Sequence, residues 1–468
     1  MKLVNIIFFI SLCLLSLKVY AQNDELKKIN ISLVGNKTTK SDIILREIGF
    51  ETGDSLNFQA IQNVVDESVA NLNRLRLFNF IDVEIIENKD KILVTYNFQE
   101  RWYYWGYPIL EHSERNLSSF IHYRDWSRIN YGAAFDWFNF RGRNEVLRFK
   151  ARFGYKEHYA ISYHKPGFGK RRVDGIWAFA DFFRQKKVVS GIYQNKPSYW
   201  QSDDVYLRNI IDVGIQYSYR PKIKYAFEFG LKFRQYVYNQ KFYNDDLDGA
   251  TNPRYIMPKI AFNYDSRNSI VYPITGFYAN LRVTTSIFDN TDFSENISLN
   301  LLLQQNTSFG KTKLSLRNEM FAGKDFYDNS KRILFDESFN FYEEFFMRGY
   351  EYYYFPSDFI VSSKNTLSYK LFDFRLNVLP SLLPDEFSKA FSIVYLEAFA
   401  DIAYSNLSNN NLHVEQDMFG DGFAYSAGFG ITVETYYDRL IQFRVAYNAY
   451  FNKFGIFAEF KSPLYKRF

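Results

Sequence analysis

Leu147-Arg148-Phe149-Lys150-Ala151-Arg152-Phe153-Gly154-Tyr155-Lys156 alternates with a period of two, and that period decides the fold. One face of the segment is apolar and the other is basic. A strand so charged on one face cannot pack between two apolar layers, but it can line a wet lumen while its other face meets lipid. The same alternation sets Tyr225, Phe227, Phe229, Leu231 and Phe233 against Lys224, Glu228, Lys232 and Arg234. It recurs near the end, where Ile441, Phe443, Val445 and Tyr447 face away from Gln442, Arg444, Ala446 and Asn448. Polar connections (239–253, 325–331, 405–422) and tighter turns such as Tyr219-Arg220-Pro221-Lys222 separate these segments. At about 20–25 residues per strand and connection, residues 102–468 predict a transmembrane β-barrel of about sixteen antiparallel strands.

Composition agrees. Phe, Trp and Tyr make up 20% of the chain beside 23% charged residues, and the mean hydropathy is negative. A barrel reconciles the two, because its outer face and rims collect rings while its lumen stays polar. A soluble β-sandwich or propeller is the architectural alternative, and the two-faced strands weigh against it. Beyond the N-terminus no run reaches the roughly 20 apolar residues of a spanning helix, so a membrane would be crossed by strands.

At the N-terminus Lys2 precedes an apolar run (Ile6 to Ile10, then Leu12, Leu14, Leu15 and Leu17) that closes on Val19-Tyr20-Ala21. This predicts a cleaved signal peptide over residues 1–21, with the mature chain starting near Gln22. Leu12 is too large for a lipidation box before Cys13. Cleavage removes Cys13, the only cysteine, so disulfides play no part in the mature protein. It also removes Lys2 and Lys18 with no acid, so the formal charge falls from +5 to +3, which gives no ground for a nucleic-acid partner. His112, His122, His158, His164 and His413 show no ligand spacing, so neither a metal nor another cofactor is implied.

Residues 22–101 read as a separate α/β module. Ile29, Ile31 and Leu33 form a strand ended by Gly35-Asn36, and Ser41 is placed to cap a helix carrying Ile43, Ile44, Leu45 and Ile48. After the turn Gly53-Asp54, a second helical spacing joins Ile61, Val64, Val65, Val69, Leu72 and Leu75. Two strands close the unit, Phe80 to Ile86 and Ile92 to Phe98. The strings Ile31-Ser32-Leu33-Val34-Gly35-Asn36-Lys37-Thr38, Gly53-Asp54 and Asn73 to Val83, with Glu100-Arg101-Trp102, resemble a POTRA domain. That resemblance implies a periplasmic module offering a strand edge to unfolded client segments.

Met347-Arg348-Gly349-Tyr350 lies in a long aromatic loop, residues 341–356. It resembles the Arg-Gly-Phe/Tyr motif in the sixth extracellular loop of the BamA/TamA outer-membrane assembly superfamily, whose loop folds back into the barrel to meet an acid on the inner wall. A guanidinium fork suits such a carboxylate. Phe399-Ala400-Asp401-Ile402-Ala403 is similar to the wall motif Phe-x-Asp-x-Gly, departing from it at Ala403; the resemblance makes Asp401 the luminal partner, with Glu397 a competitor on the same face. Asp265-Ser266-Arg267-Asn268, with Pro273 and Gly276, resembles the segment joining the seventh and eighth strands, Asn268 replacing an acid. Asn139 to Asn144 is similar to the first hairpin, placing the first strand near Asn130–Phe138. Gly455, Phe460 and the terminal Phe468 resemble a β-signal, the tag that delivers barrels for insertion.

The resemblance implies insertion of other barrels into the membrane, or polypeptide translocation, without chemical catalysis. The expected partners are the lipid bilayer, unfolded outer-membrane or secreted polypeptides, and accessory subunits in the periplasm or outer membrane. A passive pore or a surface-binding barrel is the alternative. An enzyme is disfavoured: some single-POTRA relatives carry a lipase, but no Gly-x-Ser-x-Gly elbow occurs here.

Overall fold

The computed structural model describes residues 26–461, apart from 113–125, 127–128, 170, 203, 240–251, 311, 329, 332–346, 354–356, 378–384, 388, 408–413, 416–421. The signal-peptide segment, His413 and Phe468 lie outside the described residues.

The N-terminal module contains β1 (Lys27–Val34), α1 (Ser41–Leu45), β2 (Ser55–Leu56), α2 (Phe58–Leu75), β3 (Phe78–Glu87) and β4 (Lys91–Glu100). Its sheet runs β2-β1-β4-β3, with β1 parallel to β4 in the middle. Ile61, Val65, Ser68 and Leu72 of α2, spaced by three and four, pack on Ile29, Ile92, Val94 and Tyr96 of the sheet. Asn57 caps α2, its side chain accepting from the Ala60 amide at 2.7 Å. Ser41 does not cap α1. The helix starts at Ser41, the capping position falls on Lys40, and the Ser41 hydroxyl accepts from the Asn36 amide group.

Among the described residues that follow, sixteen strands form one sheet. Its first half comprises β5 (Tyr104–His112), β6 (Ile129–Phe140), β7 (Glu145–Gly154), β8 (Lys156–Phe168), β9 (Asp174–Gln185), β12 (Arg208–Lys222), β13 (Tyr225–Tyr238) and β14 (Arg254–Asp265). Its second half comprises β15 (Gly276–Phe288), β16 (Asn296–Ser308), β17 (Leu314–Tyr327), β18 (Phe359–Asn377), β19 (Lys389–Asn406), β21 (Gly422–Thr435), β22 (Arg439–Asn448) and β23 (Lys453–Lys461). Neighbours in sequence pair antiparallel throughout, with β5 and β23 at the two ends of the order. A small outlying sheet joins β10 (Lys187–Tyr193) and β11 (Lys196–Gln201) to β20 (Val414–Glu415).

The first strand is therefore Tyr104–His112, and the segment at 130–138 belongs to the second. Pro108 hides β5 from a periodicity reading, and a strand at the end of the order tolerates a proline that a central strand would not. Asp325 is likewise strand, not loop: it lies in β17 and is buried. Along β13 the faces separate as the alternation requires, with Phe229 and Leu231 each 47% exposed and Glu228 and Lys259 of the neighbouring strand paired inside at 2.9 Å. No helix among the described residues is long and apolar enough to cross a membrane, which says nothing of strands.

Candidate functional site

Two segments enter the barrel from opposite mouths, and a third contact seats the N-terminal module on one of them. The first segment is Met347 to Tyr353, from the connection between β17 and β18. Arg348 donates through Nε to Asp401 Oδ2 at 2.8 Å and through Nη2 to Asp401 Oδ1, a bidentate fork. Its Nη1 donates to Thr366 Oγ1 at 2.8 Å, its Nη2 also reaches the Asn365 carbonyl, and the guanidinium lies 4.1 Å from the Phe399 ring centre. The arginine side chain is 8% exposed and the aspartate 0%. Gly349 has φ +88°, and a Cβ there would press on the Cβ atoms of Ser426 and Ala446 at 3.3 and 3.4 Å, so the motif glycine is set by both backbone and space. Its carbonyl accepts from Asn448 Nδ2 at 2.8 Å, and the Tyr350 hydroxyl donates to the Tyr425 carbonyl at 3.0 Å. Met347 is buried against Phe321, Ile360 and Ala403, and Tyr352 meets Phe457 of β23.

The second segment is the turn between β14 and β15. Asp265 holds Arg267 at 3.0 and 2.7 Å, and Arg267 donates onward to Gln304. Asn268, standing where the family motif has an acid, accepts from the Ile274 and Thr275 amides and so closes the turn on itself. Pro273 is buried in the turn. Gly276 has φ +99°, and a Cβ would lie 2.3 Å from the Ser266 carbonyl oxygen, which no other residue could accept. The tip, Tyr272, crosses to the far wall: its hydroxyl donates toward Glu397 at 2.7 Å and meets Ser368 at 2.9 Å. Its ring stacks on Tyr395 at 4.1 Å, and Arg317 binds Glu397 at 3.4 Å. Glu397 thus serves Tyr272 and Arg317, leaving Asp401 to Arg348.

The third contact is the docking of the N-terminal module. Arg76 and Arg101 share Asp438 in the β21–β22 turn, at 2.8 and 2.5 Å, and Tyr437 accepts from the Trp102 amide. Burial alone would raise the Asp438 carboxyl, but Arg101 and Arg76 outweigh it and hold it well below the ordinary carboxylate range. Arg74 donates to the Asp265 and Arg267 carbonyls, Glu47 binds Arg220 near the end of β12, where residues 219–222 are strand and not the expected turn, and Asp42 binds Arg172 beside β9. Thr39 meets Asn139, and Lys40 donates its amide to the Gly142 carbonyl. The module touches turns right around one mouth of the barrel.

Gly35 and Gly53 take the left-handed φ of the module's turns, Asn36 donates to the Thr39 carbonyl, and Asp54 accepts from the Glu51 amide. Gly455 and Phe460 lie on β23, opposite Ala446 and Ile441; Gly455 sits beneath the Phe457 ring that meets Tyr352, and Phe460 is exposed. Sequence reasoning missed Tyr272, Asp438 and the docking arginines. The pair Tyr437-Asp438 takes φ of 59° and 60° in a tight hairpin turn where Asn-Gly is the easy choice, so its sequence does not announce the turn. Among the described residues no three His, Cys, Asp or Glu side chains are grouped to hold a metal.

A sixteen-stranded barrel fronted by one α/β module, with an arginine loop anchored on its inner wall, defines the class. The Omp85 superfamily domain matches residues 139–449, and the POTRA family described as surface antigen variable number repeat matches residues 26–101. The chain belongs to the Omp85 superfamily. POTRA-fronted barrels of this family are outer-membrane proteins of Gram-negative bacteria. The chain is similar in fold to CdiB from Escherichia coli, with 11% identity over 93% of this chain and 76% of that one at a TM-score of 0.51. BamA from Haemophilus ducreyi lacking POTRA domains 1–3 aligns at 12% identity over 93% and 83%, with a TM-score of 0.49. No curated protein sequence matches the chain.

Proposed function

We propose that the protein is a non-catalytic outer-membrane machine that inserts or translocates polypeptides, exported by a signal peptide over residues 1–21. Residues 22–101 form its periplasmic POTRA domain and 102–468 its barrel. The observation that carries the reading is the buried fork of Arg348 on Asp401, which ties an outer loop to the lumen wall. Clients are unfolded polypeptides whose strands add to a sheet edge, at the module or at the seam between β5 and β23. The contacts of the POTRA domain around one mouth of the barrel support a role in presenting them. Accessory subunits would supply what a single such domain does not.

The test is to reconstitute the mature protein in liposomes and time the folding of a urea-unfolded barrel client, with Arg348→Ala as control. Acceleration by the wild type, lost in a control that remains folded, supports insertion. No acceleration beside a competent positive control shifts the assignment to a secretion pore or a passive barrel, and saturable single-channel conductance identifies the latter.

A further inference from the structure

Strand β18 outruns its neighbour at the mouth where the POTRA domain docks. Its last pair with β17 is Tyr369 with Leu314, followed by the Lys370 amide donating to the Lys313 carbonyl at 2.8 Å. With β19 it continues to pair as far as Asn377 with Lys389. The overhang past Tyr369 is therefore eight residues, against three for β12 beyond its pairing of Tyr219 with Asp174 and two for β16 beyond Asn306 with Gly276. A bulge marks the departure, in the register shift between Lys370 and Phe372, and a bulge bends the strand that carries it. Among the described residues no strand pairs with 371–377 on the side that β17 has left. Main-chain amides and carbonyls are thus presented there at strand spacing over about 20 Å.

The side chains of this overhang divide by face. Phe372 and Phe374, 51% and 48% exposed, stack with ring centres 5.5 Å apart. On the alternate positions Asp373 binds Lys370 at 2.9 Å, and Arg375 lies 6.0 Å from the ring centre of Phe80 on β3 of the POTRA domain. Phe80 also meets Phe391 of β19, and Asn79 donates to the Glu386 carbonyl at 2.9 Å. Strand β3 is an outer strand of the POTRA sheet, so two edge strands meet here, and a segment leaving one can be received by the other. Apolar on one face and charged on the other is the pattern of a barrel strand, and an incoming strand of the same alternation lays its apolar side chains against the two rings. Edges that must stay free are commonly short or carry lysine or proline, and residues 371–377 contain neither of these. Beyond Ser392, where β19 makes its last pair with β21, the overhang is a two-stranded ribbon, which a third strand stabilises.

We propose that residues 371–377 of β18 form a strand-receiving edge separate from the module and from the seam, taking an extended client segment of alternating apolar and polar residues by main-chain pairing, its apolar side chains laid on Phe372 and Phe374. For the class of occupant this rests on the polypeptide-handling function above. The edge is a station between the POTRA domain and the barrel, reading the alternation of a client strand through two rings on one face.

The test uses the full mature chain in detergent with a photoreactive benzoylphenylalanine at Phe374, and in a second protein at Ile86, which is exposed on β3. Each is irradiated with a fluorescent peptide alternating Val and Thr, or with the same residues arranged in blocks. The alternating peptide labels position 374 at least about fivefold more than the block peptide. Phe372→Lys lowers that labelling by about fivefold, whereas Phe372→Tyr retains it. Heat-modifiable mobility on gels reports folding; if the lysine variant does not fold, the peptide pair on the otherwise unaltered chain decides. Equal labelling by the two peptides overturns the proposal, as does unaltered labelling in a folded lysine variant. Labelling at Ile86 with none at Phe374 also overturns it, leaving strand addition to the module. Cross-linking of two copies of the chain through position 374, with none to peptide, overturns it too and marks a self-association edge. Failure of the liposome assay with selective labelling intact would count against the insertase reading alone, and loss of selective labelling with insertion intact would count against this one alone.

Discussion

Removing Arg348 should release the loop that carries it. Asp401 is fully buried and Arg348 nearly so, so Arg348→Ala strands a carboxylate inside the lumen wall, a change that costs about 3–5 kcal/mol. The hydrogen bonds to Thr366 and the Asn365 carbonyl go as well, each worth about 1 kcal/mol. Thr366 and water in the lumen can compensate part of this, so a net loss of about 4 kcal/mol is expected, which shifts the docked-to-released equilibrium by roughly a thousandfold. Met347 gives the reporter, because it is 2% exposed beside the arginine and the mature chain is expected to lack cysteine. A Met347→Cys protein should react slowly with maleimide, and adding Arg348→Ala or Asp401→Asn should speed labelling by orders of magnitude while the barrel stays heat-modifiable. The paired change Arg348→Met with Asp401→Leu removes both charges and should restore much of the protection. If labelling is equally slow in all of these proteins, the ion pair does not hold the loop and the argument from burial fails.

Asp438→Asn should undock the POTRA domain, because Arg76 and Arg101 lose the carboxylate they share; trypsin cleavage after Arg101 would report it as faster digestion with the barrel intact. The same contact sets a pH limit. Asp438 has its carboxyl depressed on folding, so the stabilisation is complete above the ordinary Asp value of about 3.9 and is lost only as pH falls below it toward the folded value. Docking followed by that digestion assay at neutral pH, after incubation at stepped pH with a cross-linker, should be flat down to about pH 5. Tyr272→Phe keeps the stack on Tyr395 and loses the bonds to Glu397 and Ser368, a cost of about 1–3 kcal/mol in thermal unfolding; Tyr272→Ala should cost more by losing the ring. Gly276→Ala should impair barrel assembly outright, read as a loss of the heat-modifiable band, since its Cβ has no space beside the Ser266 carbonyl.

The parts of the fold legible in the sequence were those governed by local periodicity. Alternation marks a strand wherever one face meets lipid and the other a charged lumen, as in β13, and three-to-four spacing marks α2. What periodicity could not reach was set by position in the whole. Pro108 made β5 illegible until its place at the end of the sheet was known. Asn239 to Pro253 reads as a polar connection and lies largely outside the described residues. The arginine loop and its wall strand could be matched to each other through resemblance, because each carries a short string with an unusual charge. Tyr272 carries no such mark: among 38 tyrosines, only the reach of its turn across the lumen distinguishes it. The docking arginines Arg74, Arg76 and Arg101 are ordinary in sequence for the same reason, since their partners lie hundreds of residues away on turns that come together only when the barrel closes around them.

Strand β19 gives these separate contacts a common frame. Glu397 and Asp401 stand four residues apart on its luminal face, about 13–14 Å along a strand, with Phe399 between them. The outer loop reaches Asp401, and the POTRA-side turn reaches Glu397 from the other mouth. Phe399 underlies Arg348 and packs on Ala446 and Phe457, carrying the contact into β22 and β23 at the end of the sheet. The turn bearing Tyr272 is in turn held by Arg74 of the POTRA domain through its main-chain carbonyls. A displacement of the POTRA domain therefore has a contiguous physical route to the wall that anchors the outer loop. The contacts at its two ends, Arg74 on the turn and Arg348 on Asp401, can each be broken alone, so the route is open to double-mutant measurement of coupling.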